Sequence, residues 1–267
     1  VSASFSSHIL AGDGVRIAYR FDGDPGLPVL LLSNSIATDL HMWDAQIPAL
    51  SRRFRVLRYD ARGHGASAAP AGAYSLDRLG RDVLELLDAL GLDRVHFLGL
   101  SLGGFVGQWL AVRAPERIDR LVLSNTSAYL GPAAVFDERI REAEAATDMR
   151  AIAERFLRDW FPAAMLDARD PRVEPFRATL LAQSAAGLAG SFAAVRDADL
   201  RRTLGLIAAP TLVIAGESDP VTLPEHGRAI AAAVPGARWL ALPAVHMANI
   251  ENPDAFEPAV LDFLSAA

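Results

Sequence analysis

Apolar runs bounded by turn residues alternate along this chain with segments whose apolar positions recur at helical spacing. "SSHILA" and "VRIAYRFD" flank "GDG" and read as a hairpin turning at Asp13-Gly14. "PVLLLSNS" and "FRVLRYDARGHGAS" open with short apolar strands. Between them, "DLHMWDAQIPALSRR" sets Met42, Trp43, Ile47 and Leu50 at the spacing of a helix. Apolar residues at 76, 79, 83, 86, 87 and 90 make "SLDRLGRDVLELLDALGL" an amphipathic helix that stops at Gly91. "RVHFLGLS", a helix running to Pro115, and "IDRLVLSNTS" come next. The alternation resumes near the C-terminus with "APTLVIAGESD", the helix "PEHGRAIAAAV", "ARWLALPAVH" and the helix "NPDAFEPAVLDFLSA". Fully apolar strands alternating with helices bury both faces of their sheet. The pattern predicts an α/β fold on a mostly parallel, eight-stranded sheet flanked by helices.

Residues 129–198 break the alternation. They hold no convincing strand and are rich in Ala, Arg, Glu and Asp, with helical runs such as "AVFDERIREAEAA" and "MRAIAERFLRDWF". The expected organisation is a core of residues 1–128 and 199–267 with a helical insertion of 129–198. Insertions at the carboxyl end of such sheets lie where ligands bind, so the insertion reads as a lid in preference to an inert helical domain.

Composition narrows the function. Half of the 267 residues are hydrophobic, which supports a large core. The net charge of −6 and the lack of a basic stretch argue against nucleic acid and anionic membranes as partners. Without cysteine the chain has no disulfide, no thiolate metal site and no cysteine nucleophile. No run reaches the roughly 18 apolar residues of a membrane span. The N-terminal "VSASFSSHILAGDG" has no basic n-region followed by a long apolar stretch, so a cytoplasmic location is expected.

The chemistry centres on "GLSLG", a G-x-S-x-G match between a β-rich run and a helix. A strand-to-helix turn at Ser101 needs small neighbours, here Gly99 and Gly103. It lifts the hydroxyl above the sheet, at the positive end of a helix. A serine becomes a competent nucleophile only with a base, and in such sheets the partners follow in the order acid, then histidine. Two histidines follow Ser101. His226 falls inside a helix, where an exposed side chain is expected. His246 sits in a loop after a strand and is favoured as the base. Asp219, directly after the strand "VIAG", is favoured as the acid over Glu217, Asp197 and Asp199. An oxyanion hole needs two N–H donors: Leu102, which follows the nucleophile, and Ile36, in the loop after "VLLLSNS".

With these residues in place the chain resembles the α/β-hydrolase family from end to end, apart from the insertion, where that family carries its variable lid. "YDARGHGAS" (Asp60, Arg62, Gly63, His64, Gly65, Ser67) resembles the family's turn after the fourth strand. That turn is mainly structural in the family, so His64 stays outside the catalytic set.

A closer resemblance runs through "LSNSIATDLHMWDAQIPAL", "GLSLGG", "LSNTS", "RDWF" and "HMANIENPDAF", which look like the 3-oxoadipate enol-lactonases of bacterial aromatic catabolism. Ala37 stands where glycine is expected, and Phe136 where the family often has tryptophan. The resemblance implies a small anionic enol-lactone as substrate, opened to 3-oxoadipate through an acyl-serine, with neither metal nor organic cofactor. The substrate carboxylate calls for a cation, and Arg139 matches the family's pattern; Arg141, Arg150, Arg155 and Arg158 are the other arginines considered. A solvated helix face is the competing reading of Arg139. Trp160 is read as an aromatic wall of the pocket or as core of the insertion. A carboxylesterase or a carbon–carbon bond hydrolase could use the same triad, and a non-catalytic binder could share the fold.

Overall fold

Eight strands make the sheet: β1 (Ser7–Leu10), β2 (Arg16–Asp22), β3 (Val29–Ser33), β4 (Arg55–Tyr59), β5 (Val95–Leu100), β6 (Ile118–Ser124), β7 (Thr211–Gly216) and β8 (Arg238–Leu242). These come from a computed structural model that describes residues 7–266. Ser6 of the first predicted strand, and the start of the N-terminal stretch read for a leader, lie outside the described residues. The strand order is β1-β2-β4-β3-β5-β6-β7-β8. β1 and β2 pair antiparallel, as do β2 and β4, and every later pairing is parallel. Every residue of β5 and β7 is buried, as expected for strands covered on both faces.

The helices are α1 (Ile47–Leu50), α2 (Leu76–Ala89), α3 (Leu102–Arg113), α4 (Ala133–Ala145), α5 (Arg150–Trp160), α6 (Ala163–Asp167), α7 (Glu174–Ala182), α8 (Ala185–Asp197), α9 (Pro224–Ala233), α10 (Ala248–Glu251) and α11 (Pro253–Leu264). α2 starts where the Ser75 side chain accepts a hydrogen bond from the Arg78 N–H. It stops at the Leu90 cap, followed by Gly91 at φ 64°, in the left-handed region that glycine adopts freely. α3 is buried from Leu102 to Ala111, which places it in the centre of the molecule. Among the described residues no single helix is long and apolar enough to cross a membrane.

One predicted helix is divided. The 39–53 segment forms a 3-10 turn over Leu40–Trp43 and then the four-residue α1. Asp39 caps the first piece by accepting from His41 N–H. Pro48 lies in the first turn of the second, where its missing N–H costs no helical bond. Between β6 and β7 lie the helices α4 to α8, and an isolated bridge between Tyr129 and Asp199 closes the neck of this insertion.

Candidate active site

β5 ends at Leu100 and α3 begins at Leu102, so Ser101 alone makes the turn, at φ 55° and ψ −114°. A side chain rarely adopts that conformation, and it persists only where the surroundings over-determine it. Here Ser101 N–H donates to Ser124 C=O at 3.0 Å. The Thr126 hydroxyl donates to Ser101 C=O at 2.7 Å. A Cβ on Gly99 would lie 2.2 Å from the Gly103 carbonyl oxygen, and one on Gly103 would lie 2.1 Å from that of Ser33. The glycines let strand and helix close on each other, and that closure exposes the serine.

His246 follows β8 in a loop and is fully buried. Its Nδ1 lies 2.8 Å from Asp219 Oδ2. A carboxylate accepts, so Nδ1 carries the proton and Nε2 presents a lone pair. Nε2 is buried without a hydrogen-bond partner, and both His246 and Ser101 line the same cavity. Asp219 also accepts from Val221 N–H at 2.8 Å, Thr222 N–H at 3.0 Å and the Thr222 hydroxyl at 2.7 Å. Burial pushes its pKa up, but the charge and hydrogen bond of His246, with the bonds from Asn125 and Thr222, outweigh burial and bring it to about 2. The rival acids lie elsewhere: Glu217 is exposed, and Asp197 and Asp199 are exposed and paired with Arg196 and Arg201. His226 departs from its expected exposure. It is half-buried in α9, with a buried Nδ1 that lacks a partner, and it does not line the cavity.

Ile36 and Leu102 border the cavity beside Ser101. Among the described residues neither backbone N–H meets an acceptor, while the next amides along both segments are engaged. Gly103 N–H donates to Asn34 C=O, and Ala37 N–H donates to His64 Nε2. Two residues lining the cavity with Ser101 thus carry free N–H groups, one of them in the first turn of α3. Ala37 has φ 60° and is the third residue of a β-turn closed by Thr38 N–H to Ser35 C=O at 3.4 Å. A left-handed third position explains why glycine is expected there.

The cavity contains about 480 Å³ of empty space, part of it open to solvent. The insertion supplies Phe136, Phe156, Trp160 and Phe192 to its wall, so the position where tryptophan was expected still carries an aromatic ring. Trp160 is 1% exposed and packs on Phe156 and Phe176, which makes it wall and core at once. Arg139 also lines the cavity and is half-buried, which departs from the solvated helix face. Its guanidinium carbon lies 5.6 Å from the Phe136 ring centroid and 5.8 Å from that of Phe192. Burial, aided by the nearby Arg155 charge, holds its pKa below the ordinary arginine value, opposed by Asp159 and Glu142. Glu142 is paired with Arg155, and Arg150 with Asp148. Arg141 and Arg158 are exposed, and none of these four arginines lines the cavity.

Sequence reasoning missed two contributors. Asn125, at the carboxyl end of β6, donates through Nδ2 to Asp219 Oδ2 and to Val245 C=O, both at 3.0 Å, tying the acid to the histidine loop. The polar cluster "LSNTS" after an apolar strand was the available signal. Asp159, beside Trp160, brings a carboxylate to the same cavity as Arg139; nothing in its spacing marked it.

A serine raised on a strand–helix turn, a buried His–Asp pair and two free amides at the carboxyl edge of a parallel sheet are features that comparison with known proteins can test. The chain is 37% identical to 3-oxoadipate enol-lactonase 2 of Acinetobacter baylyi over 254 residues, 94% of each chain. It superposes on an enol-lactonase from Burkholderia xenovorans LB400 with a TM-score of 0.94 and 41% identity, covering 97% of this chain and 100% of that one. A hydrolase from Pseudomonas aeruginosa PA01 gives a TM-score of 0.98 at 62% identity, over 99% of this chain and 100% of that one. Residues 28–253 match the alpha/beta hydrolase fold family. From sheet to site, then, this chain belongs to the α/β-hydrolase family.

Proposed function

We propose that this protein is a cytoplasmic serine hydrolase that opens 3-oxoadipate enol-lactone to 3-oxoadipate in bacterial protocatechuate and catechol breakdown. The observation that carries the reading is one cavity bordered by Ser101, by His246 with its free Nε2, and by Arg139, which makes no ion pair among the described residues. The likeness to two enol-lactonases at 37% and 41% identity supports the choice of substrate.

In this mechanism His246 Nε2 takes the Ser101 proton as Oγ attacks the lactone carbonyl. The N–H groups of Ile36 and Leu102 hold the tetrahedral oxyanion. Collapse of the intermediate breaks the ring C–O bond. The oxygen leaves as an enolate, takes the His246 proton and tautomerises to the ketone. Water then gives a proton to His246, attacks the acyl carbonyl and releases the second carboxylate, and Ser101 regains its proton. Asp219 fixes the imidazole tautomer and stabilises its charged form. Arg139 pairs with the substrate carboxylate, Trp160 forms the aromatic wall, and 129–198 acts as a lid on the core of 1–128 and 199–267.

The test is a comparison of kcat/KM on 3-oxoadipate enol-lactone, p-nitrophenyl acetate and a ring-cleavage dienoate. The lactone should be preferred by orders of magnitude. Turnover of the ester with none of the lactone would make the protein a general carboxylesterase, and preference for the dienoate a carbon–carbon bond hydrolase.

A further inference from the structure

The turn Asp60–Ser67 contains no reacting group, yet it is the platform on which the Ile36 loop rests. The turn is itself anchored. Arg62 donates to both oxygens of Asp82, at 2.6 Å each, and to Asp13. The Ser67 hydroxyl donates to Asp60 C=O and accepts from Ala18 N–H. From this base two side chains reach the loop. Asp60 Oδ1 accepts from Leu40 N–H at 2.7 Å, and His64 Nε2 accepts from Ala37 N–H at 2.9 Å.

The His64 bond is directional. Nδ1 lies 3.1 Å from Arg62 C=O, an acceptor only, so Nδ1 carries the proton and Nε2 is the bare nitrogen. The side chain is 2% exposed. Burial pushes its pKa down to about 4, against the hydrogen bond it donates to Arg62 C=O and the charge of Asp39, and this keeps the accepting form at working pH. The residue it holds, Ala37, is the one at φ 60° in the loop. Without an acceptor the buried Ala37 N–H would be unpaired, and the turn would relax towards ordinary φ. The neighbouring N–H of Ile36, a residue that lines the cavity, would move with it.

We propose that His64 is a positioning residue that holds the Ile36 N–H on the oxyanion, a role that rests on Ile36 being an oxyanion donor as proposed above. The family-like turn would then be part of the catalytic apparatus, acting through the loop above it.

The test uses the full-length protein with His64→Gln, His64→Asn and His64→Leu. Glutamine can place an amide oxygen near the Nε2 position; asparagine is too short to reach Ala37, and leucine has no acceptor. His64→Asn and His64→Leu should lower kcat about tenfold to a hundredfold, with KM within about threefold. A trifluoromethyl ketone, whose serine adduct carries the same oxyanion, should weaken by the same factor. His64→Gln should recover kcat to within about fivefold of wild type. Folded His64→Asn with kcat within twofold of wild type, or His64→Gln as impaired as His64→Asn, overturns the proposal. If His64→Leu fails to fold, the glutamine–asparagine comparison still decides. Ester turnover that survives Ser101→Ala, with His64 intact, would instead overturn the serine mechanism beneath it, a failure distinguishable from that of His64 alone.

Discussion

On the sheet side of the cavity Asp219 accepts hydrogen bonds from Asn125, Val221, Thr222 and His246. On the insertion side Arg139 faces two phenylalanine rings and pairs with no carboxylate among the described residues. Both charges are drawn partly out of water; Asp219 is met by direct hydrogen bonds, Arg139 only by the nearby charges of Asp159 and Glu142. Removing a charge from water is costly unless partners replace the solvent. The compensated carboxylate is therefore a fixed part of the fold. The guanidinium has no paired carboxylate among the described residues, and under the proposed function a ligand's anion would complete it. Under the proposed function the sheet side would set the chemistry, and the insertion side what is bound.

The hardest test of that division removes the nucleophile. Ser101→Ala should lower kcat by about 10⁴-fold or more, because triad members act as a unit. The fold should survive, and so should the affinity for a substrate-like carboxylate, which the other wall holds. A correctly folded Ser101→Ala protein with unchanged turnover ends the serine mechanism. Loss of carboxylate affinity along with activity would erase the distinction between the two sides.

The fold was largely legible because its signals are local. Fully apolar strands, the Gly99-x-Ser101-x-Gly103 spacing and the loop positions of Asp219 and His246 all sit in short windows. What escaped depends on distance along the chain. Asn125 meets Asp219 and Val245 from 94 and 120 positions away, and His64 meets Ala37 across 27. No periodicity encodes such meetings. The split at Pro48 is different: the residue is visible in the sequence, but the spacing of Met42, Trp43, Ile47 and Leu50 fits one helix or two.

A second test asks how firmly folding fixes the sheet side. His64 is held neutral with a pKa of about 4, below the ordinary histidine value, by burial. Between about pH 6.5 and 4 the unfolded chain binds a proton there that the native protein does not. Stability from this group therefore falls as pH drops through that window, by about 3 kcal/mol in all. Asp60 has the opposite sign. Burial raises its pKa to about 6 against the bonds from Ala66 and Leu40, so the native carboxyl takes up a proton first and gains stability on acidification. The two offset each other in wild type. In His64→Gln only Asp60 remains, so the variant's stability relative to wild type should rise by about 3 kcal/mol between pH 7.5 and 4. Urea unfolding at both pH values reads the difference. A pH-independent difference would mean that the fold does not hold His64 neutral.

Arg139 tests the insertion side. A charge-assisted pair contributes on the order of 1.5–3 kcal/mol, or about tenfold to a hundredfold in affinity. The substrate carboxylate is remote from the reacting carbonyl, so the contact is similar in ground and transition states. Arg139→Ala should raise KM for the lactone by that factor with a much smaller change in kcat. Arg139→Lys should recover part of the loss, keeping the charge without the fork. A neutral ester should be nearly indifferent. Equal damage to ester and lactone would make Arg139 a packing residue. Arg158, exposed and not among the cavity's lining residues, would then be next to test.

The smallest effect probes strain on the sheet side. Ala37 is held at φ 60° by the His64 bond and the Ser35–Thr38 turn. An L side chain in the left-handed region costs roughly 1–2 kcal/mol, and glycine avoids that cost. Glycine also loses more backbone freedom on folding, about 0.5–1 kcal/mol. The balance predicts that Ala37→Gly stabilises the protein by about 0.5–1 kcal/mol, a rise in Tm of about 1–4 °C for a chain of this size. Combining Ala37→Gly with His64→Asn sharpens the point. Glycine no longer needs to be forced into the turn, so the stability cost of losing the His64 acceptor should be smaller on the glycine background than on the alanine one. The four proteins form a double-mutant cycle, read by urea unfolding at neutral pH. Additive stabilities would show that His64 and the backbone of residue 37 are energetically independent, and that the left-handed turn is held by the Ser35–Thr38 bonds alone.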